Sequence, residues 1–321
     1  MQAIVYHRYG SPDVLALEDL ATPVPKPDQV LVRVRAASVN PLDWHFLRGL
    51  PYIVRPTAGW RRPKRSIPGV DVAGVVEAVG SEVTELAPGD EVFGEKSRAC
   101  AEYVAAPVGL LVRKPARLTF AEAAAIPAAG VTALQALRDK AGVQPGQRVL
   151  INGASGGVGT FAVQIAKALG AVVTAVCSTA NVDLVRSLGA DHVIDYTKED
   201  FTRNGQQYDA IIDNAGNCSL LASRRALAPT GVFVVVGAPD GRWVAPIARI
   251  ALAMLLTRVG SRRFVPHLTE TTRADLVFIA ELVEAGSVTP VIDRCYPLSQ
   301  TADAIRYLET MRARGKVIVT P

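Results

Sequence analysis

Residues Ile151–Thr160 read INGASGGVGT, a run of small side chains that leaves a backbone open to close approach. Ala154, Gly156 and Gly159 fall on the three special positions of G-x-G-x-x-G, with alanine at the first. The apolar run RVLIN precedes the loop and the helical pattern GTFAVQIAKALG follows it, which is the context this fingerprint requires. A residue without a bulky side chain lets a pyrophosphate touch the backbone, and a helix start offers free N–H groups and a positive dipole end. Ala154, Ser155, Gly156, Gly157 and Val158 therefore read as a dinucleotide cradle. Tight packing of a strand-to-helix turn is the plainer use of the same residues.

Which dinucleotide fits is decided about 20 residues further on, where a carboxylate ending the second strand would bind the ribose 2′-hydroxyl of NAD. Here the chain reads VCSTAN from Val176 to Asn181, with no acid before Asp183. Ser178 and Thr179 can donate to a 2′-phosphate, and Tyr196 closes the next strand in the same neighbourhood. NADP(H) is the expected cofactor, against the alternative that Ser178 and Thr179 only cap the next helix. Alanine at position 180 withholds the basic side chain that would make this preference strong.

A catalytic zinc needs three converging ligands. His7, His45, His192 and His267 are scattered, and Cys100, Cys177, Cys218 and Cys295 form no Cys-x-x-Cys pair. No metal is expected, so a hydride acceptor would have to be polarised by hydrogen bonds.

The elements that must position these residues are legible in the texture of the chain. With 321 residues, 49% hydrophobic and 20% charged, it is long enough for two domains. Up to about Arg117 short β-branched runs are cut by Pro and Gly, a mostly β pattern. From Phe120 alanine-rich helices alternate with apolar strands, the signature of βαβ units in a doubly wound parallel sheet. The tail returns to strand, helix and strand. The expected division is a catalytic domain over 1–122 completed by 265–321, and a dinucleotide-binding domain over 123–264.

Partners follow from charge and apolar pattern. A net charge of +5 with one basic cluster, Arg61–Arg65, is too little for a nucleic-acid site and reads as a solvated loop. The apolar stretch from Trp243 to Val259 is broken by Pro246 and Arg249, too short for a membrane span, and reads as a buried or partner-facing helix. The start of the chain lacks the apolar core of an export signal, and the dispersed cysteines suit a reducing, cytoplasmic setting. The apolar strand Gly231–Gly237 is expected near a sheet edge, which favours a homodimer.

In order along the chain, ASVNPLDW, PGVDVAGVVEAVG, PGDEVFG, AEYV, AAAIPAAGVTAL, the glycine loop, LGADHVIDY and GKVIV resemble the medium-chain dehydrogenase/reductase superfamily. The likeness is greatest to its zinc-free quinone-oxidoreductase branch, near the reticulon-interacting-protein-like reductases. That resemblance implies a partly open, barrel-like (GroES-like) catalytic domain, a Rossmann domain, an active site in the cleft between them and a homodimer. It places Asn40 beside the nicotinamide, where zinc-dependent members carry a cysteine, and Val70 and Asp71 where they carry a His-Glu pair. It puts Thr132 near the nicotinamide, Gly237 and Ala238 at its carboxamide, Lys316 near the phosphates, and Tyr52 close to a substrate-facing tyrosine.

The implied reaction passes hydride from NADPH to a quinone or to the β-carbon of an α,β-unsaturated carbonyl. Asn40 and Tyr52 are the expected catalytic donors to the oxygen that gains charge. Two alternatives stay open: a zinc-free carbonyl reductase or alcohol dehydrogenase, and an NADP(H)-binding redox sensor without turnover.

Overall fold

Val30, Val32 and Val34 turn inward while Arg33 and Arg35 face solvent, the period-two pattern of a half-buried strand. The computed structural model describes residues 1–52, 55, 59–64, 66–237, 245–258 and 260–321. Ala238 therefore lies outside the described residues. The chain divides into a first unit, residues 1–131, 270–284 and 290–321, and a second unit, residues 132–269 and 285–289.

In the first unit β1 (Gln2–Val5) and β2 (Ala16–Asp19) form an antiparallel ribbon. β3 (Gln29–Val39), β4 (Asp71–Val79), β5 (Glu91–Glu95), β6 (Tyr103–Pro107) and β7 (Leu111–Arg113) follow. They pair antiparallel as β3–β4, β4–β5, β5–β7 and β3–β6. Helix α1 (Pro41–Arg48) leaves the end of β3, and α2 (Pro127–Gln135) leads into a π-helical turn over Ala136–Ala141.

The second unit holds β8 (Arg148–Asn152), β9 (Val172–Cys177), β10 (His192–Asp195), β11 (Tyr208–Asp213), β12 (Leu227–Val235) and β13 (Arg263–Pro266). All six are parallel, in the spatial order β10-β9-β8-β11-β12-β13. Strand order reverses between β8 and β11, and in such sheets ligands bind at that reversal, beyond the carboxyl ends of the strands. Helix α3 (Gly157–Ala168) starts on the glycine loop, and α4 (Ala245–Thr257) precedes β13.

The chain then returns to the first unit with β14 (Ile292–Pro297) and β15 (Lys316–Thr320), a parallel pair. β15 lies antiparallel to β3, Val317 opposite Val39 and Ile318 opposite Ser38. The fold class is the expected one, a Rossmann sheet with a mostly β GroES-like domain.

β12 lies beside the sheet edge, as expected for Gly231–Gly237, and β13 pairs along it from Val232↔Arg263 to Val235↔Pro266. Four residues ending in proline are too few for alternation to reveal, and it is β13 that forms the edge.

The cradle glycines have separable roles. A Cβ on Gly159 would lie 2.1 Å from the Gly153 carbonyl oxygen, so loop and α3 pack only if it is absent. A Cβ on Gly156 would meet only that same oxygen, at 3.5 Å, and its φ of −81° suits any residue. Gly159→Ala is expected to lower unfolding free energy by about 1–3 kcal/mol, whereas Gly156→Ala stays within about 0.5 kcal/mol. Urea denaturation checks both, and equal losses would contradict the division of labour.

Candidate functional site

Strand register assembles the polar centre of the first unit. Asp71 opens β4 directly opposite Ser38 on β3, and the β15 ladder brings Lys316, just before Val317, beside Asn40 at the end of β3. Lys316 Nζ donates to Asn40 Oδ1 at 2.5 Å and lies 3.2 Å from Asp71 Oδ2. Asn40 Nδ2 donates to the same Asp71 oxygen at 3.0 Å, and Ser38 Oγ donates to it at 2.5 Å. The Ala128 N–H, in the first turn of α2, reaches Asp71 Oδ1 at 2.8 Å. The Lys316 and Asp71 side chains are only 3% and 0% exposed, so each charge depends on the other and on these dipoles.

Asn40 is held by its surroundings on both sides. Its N–H donates to Asp43 Oδ2 at 2.7 Å, and Pro41 starts the helix, where a missing N–H costs nothing. Gly49, with φ of 59°, ends α1 in the left-handed conformation. Asn40 Nδ2 carries two hydrogens, of which Asp71 takes one. This arrangement corrects the placement of Lys316: an ammonium buried against Asn40 and Asp71 is not available to pair with cofactor phosphates.

Tyr52 is half-buried, and the Arg55 guanidinium covers its ring at 4.6 Å and the Tyr9 ring at 4.7 Å. Arg55 Nε also donates to the Gly49 carbonyl at 3.0 Å.

In the second unit Asn152 and Asp213 end the neighbouring strands β8 and β11 as direct partners, with Asn152 Nδ2 donating to Asp213 Oδ1 at 2.7 Å. Asp213, fully buried, also pairs with Arg249 of α4 and accepts from the Gly216 N–H at 3.1 Å. Cys218 lies 3.5 Å from Asp213, and burial first, then that carboxylate, pushes its thiol up to about 11. The next residue, Asn214, has both side-chain polar atoms buried and, among the described residues, without a partner. Buried amides are ordinarily satisfied, so an orphan at the strand reversal marks where a ligand's polar group belongs. Gly237 closes on it so tightly that a Cβ would lie 2.2 Å from the Asn214 carbonyl oxygen. With the open face of Gly156, these residues fit a bound dinucleotide.

Ser155 and Ser178 are tied together through Asn181, whose Nδ2 donates to their hydroxyl oxygens at 2.9 and 3.2 Å. Both serine protons are thereby left for an anion. Thr179 differs from expectation: its hydroxyl donates to Asp195 Oδ2 at 2.5 Å. Tyr196 is 58% exposed, its N–H bonded to the Cys177 carbonyl at 3.0 Å. Thr132 Oγ1 lies 2.8 Å from Thr269 Oγ1, which lies 3.2 Å from His267 Nε2. Burial lowers the His267 pKa from its ordinary value and favours the neutral imidazole. Among the described residues no group of three or more His, Cys, Asp or Glu could hold a metal ion.

Two family models match the chain, "Alcohol dehydrogenase GroES-like domain" over residues 26–136 and "Zinc-binding dehydrogenase" over 188–319. A chloroplast envelope quinone oxidoreductase homolog of Arabidopsis thaliana is 36% identical over 337 aligned positions, covering 100% of this chain and 98% of that protein. The 2-methylene-furan-3-one reductase of Solanum lycopersicum is 38% identical, covering 100% of this chain and 79% of its own length. The solved quinone oxidoreductase of Coxiella burnetii superposes with a TM-score of 0.87 at 33% identity, over 100% of this chain and 99% of that one. The chain belongs to the medium-chain dehydrogenase/reductase superfamily.

Within this superfamily member, sequence reasoning missed Asp195, Asn214, Arg249 and Arg55. The run YDAIIDNAG carried a usable signal, since a strand that ends in two polar residues faces either solvent or a ligand. Asp43 holds the loop after β3, its two oxygens accepting the Asn40 and Gly69 N–H groups, both at 2.7 Å. Burial pushes its carboxyl up from 3.8 to about 6, and the neighbouring Asp71 charge adds to the rise while those two bonds oppose it.

The consequence is a signed pH dependence. Between about pH 4 and pH 6 the folded state keeps the Asp43 proton and the unfolded state releases it, so stability falls as pH rises through this window. The loss amounts to about 3 kcal/mol at full ionisation. Asp43→Asn is expected to be less stable overall, having one acceptor for two N–H groups, and to lack this fall. Urea denaturation across pH 4–7 compares the two proteins, and parallel curves would exclude Asp43 as the source.

Proposed function

We propose that this protein is a reductase that works with NADPH and without zinc, on a quinone or an α,β-unsaturated carbonyl. The observation that carries the reading is the Lys316–Asn40–Asp71 cluster. A nicotinamide held here would supply the hydride for an electron-poor carbon of the acceptor, whose oxygen would gain negative charge. Asn40 presents its second Nδ2 hydrogen to that oxygen. Lys316, bonded to the carbonyl end of the same amide, polarises it and strengthens the N–H as a donor. In this reading the Lys316 ammonium, neutralised by Asp71, orients and polarises the amide in place of a metal, and an asparagine amide is a poor zinc ligand beside a thiolate. Tyr52, its ring braced by Arg55, is the second proposed donor.

Ala154 to Val158, Ser155 and Ser178 with their free hydroxyl protons, Thr132 and Gly237 are the proposed cofactor contacts, joined by Asn214. Ala238 completes the set as read from sequence. Reduction of a carbonyl in place of an enone is the second reading, and binding without turnover the third.

We further propose a homodimer in the cytoplasm. The edge strand β13 and the exposed Ile250, Leu252, Met254 and Leu255 of α4 support pairing between copies. Among the described residues no helix is long and apolar enough to cross a membrane. The four free cysteines suit a reducing compartment, and cell fractionation that finds the protein outside the cytosol would refute that placement.

An NADPH-oxidation panel of quinones, enones and aldehydes tests the function. Quinones and enones should be reduced by protein free of stoichiometric zinc, and activity should survive a chelator. Asn40→Ala should lower kcat/KM by about 100-fold with a far smaller change in NADPH affinity in a fluorescence titration, since Asn40 also lies beside the proposed nicotinamide position. Reduction confined to aldehydes, or no turnover at all, would favour the second or third reading. Light scattering should report twice the 34.1 kDa chain mass, and a monomer at micromolar concentration would rule out the dimer.

A further inference from the structure

The end of β9 lacks an acid in sequence, yet the fold delivers one there. β10 pairs parallel to β9 with Ile194 opposite Val176 and Asp195 opposite Cys177, which sets the Asp195 carboxylate beside the first residues after β9. Its Oδ2 accepts from the Thr179 hydroxyl at 2.5 Å, and its Oδ1 accepts from Thr197 Oγ1 at 2.7 Å and Thr197 N at 3.0 Å. These bonds, Thr179 foremost, hold the Asp195 carboxyl well below its ordinary range, so it is ionised at any working pH. The adjacent Lys198 ammonium, 3.3 Å from Oδ2, is 69% exposed and strongly screened.

In a doubly wound sheet the adenosine ribose of a dinucleotide lies over the end of the second strand. A ribose 2′-hydroxyl can donate to a carboxylate, whereas a 2′-phosphate brings like charge and no proton to give. The same carboxylate consumes the Thr179 proton that a phosphate would want. Ser155 and Ser178 keep theirs, so the site is not closed to phosphate. We propose that Asp195 is the specificity-determining residue at the adenosine ribose, limiting the advantage of NADPH and admitting NADH beside it. The proposal rests on the dinucleotide reading above and adds to it which charge sets the balance.

Calorimetric titration with ADP-ribose and 2′-phospho-ADP-ribose tests it without reference to turnover. Asp195→Asn keeps an acceptor for Thr179 and removes the charge. It is expected to tighten 2′-phospho-ADP-ribose about five- to tenfold, as two charges about 4 Å apart under the dielectric of bulk water imply, with ADP-ribose changed less than about twofold. Retained ADP-ribose binding shows that the variant is folded. Thr179→Ala leaves the charge and loosens the loop, so its ratio of the two affinities should not rise. A ratio unchanged in Asp195→Asn, or raised equally by Thr179→Ala, would overturn the role of Asp195 while leaving the dinucleotide site standing. If neither compound bound the wild-type protein, the dinucleotide reading itself would fall, and this inference with it.

Discussion

Everything in the first unit's polar centre hangs on Asp71. A carboxylate with no solvent contact is tolerable only when its lone pairs are met, and four elements meet them: Ser38 from β3, Asn40 from the β3–α1 junction, Ala128 from α2 and Lys316 from β15. The strand register follows from that demand as much as from apolar packing. A slip of one residue in either ladder would turn Ser38 or Lys316 to the opposite face and leave the charge uncompensated. The return of the chain's last strand to β3 is thereby linked to the chemistry, since it brings the Lys316 ammonium to Asp71.

The second unit solves the same problem with different residues. Asp213 is fully buried at the strand reversal and is met by Asn152 from the adjacent strand end, the Gly216 N–H and Arg249 from α4. Its neighbour Asn214 is left unmet on both side-chain atoms. The two consecutive residues contrast: the carboxylate fixes the strand ends, and the amide has no partner among the described residues, at the strand reversal where the proposed dinucleotide would lie.

What could be read from sequence was what is local. The glycine loop sits between its own strand and helix, so spacing alone identifies it, and the alternation of helix and strand dictates a parallel sheet. The polar centre is different in kind. Lys316 is 276 residues from Asn40, and no periodicity links them, so only strand pairing reveals that the lysine faces inward to an amide. Asp195 escaped for a related reason: the fingerprint looks for an acid on the second strand, and here the acid arrives from the third through the Asp195↔Cys177 pairing. β13 was too short to announce itself, a four-residue strand ending in proline.

Stability does not explain why a buried lysine and aspartate occupy this position, because well-packed apolar residues in place of a buried ion pair are often as stable or more so. Orientation does. An asparagine amide can be turned end for end at little cost when its surroundings are neutral. With an ammonium at Oδ1 and a carboxylate at Nδ2, the reversed amide would set N–H against Lys316 and C=O against Asp71, two repulsive contacts between buried groups. Only one orientation survives, and it leaves a single N–H free, pointing away from both charges. A donor fixed in this way needs no reorganisation when charge develops on a bound acceptor, which is what the proposed hydride transfer would ask of it.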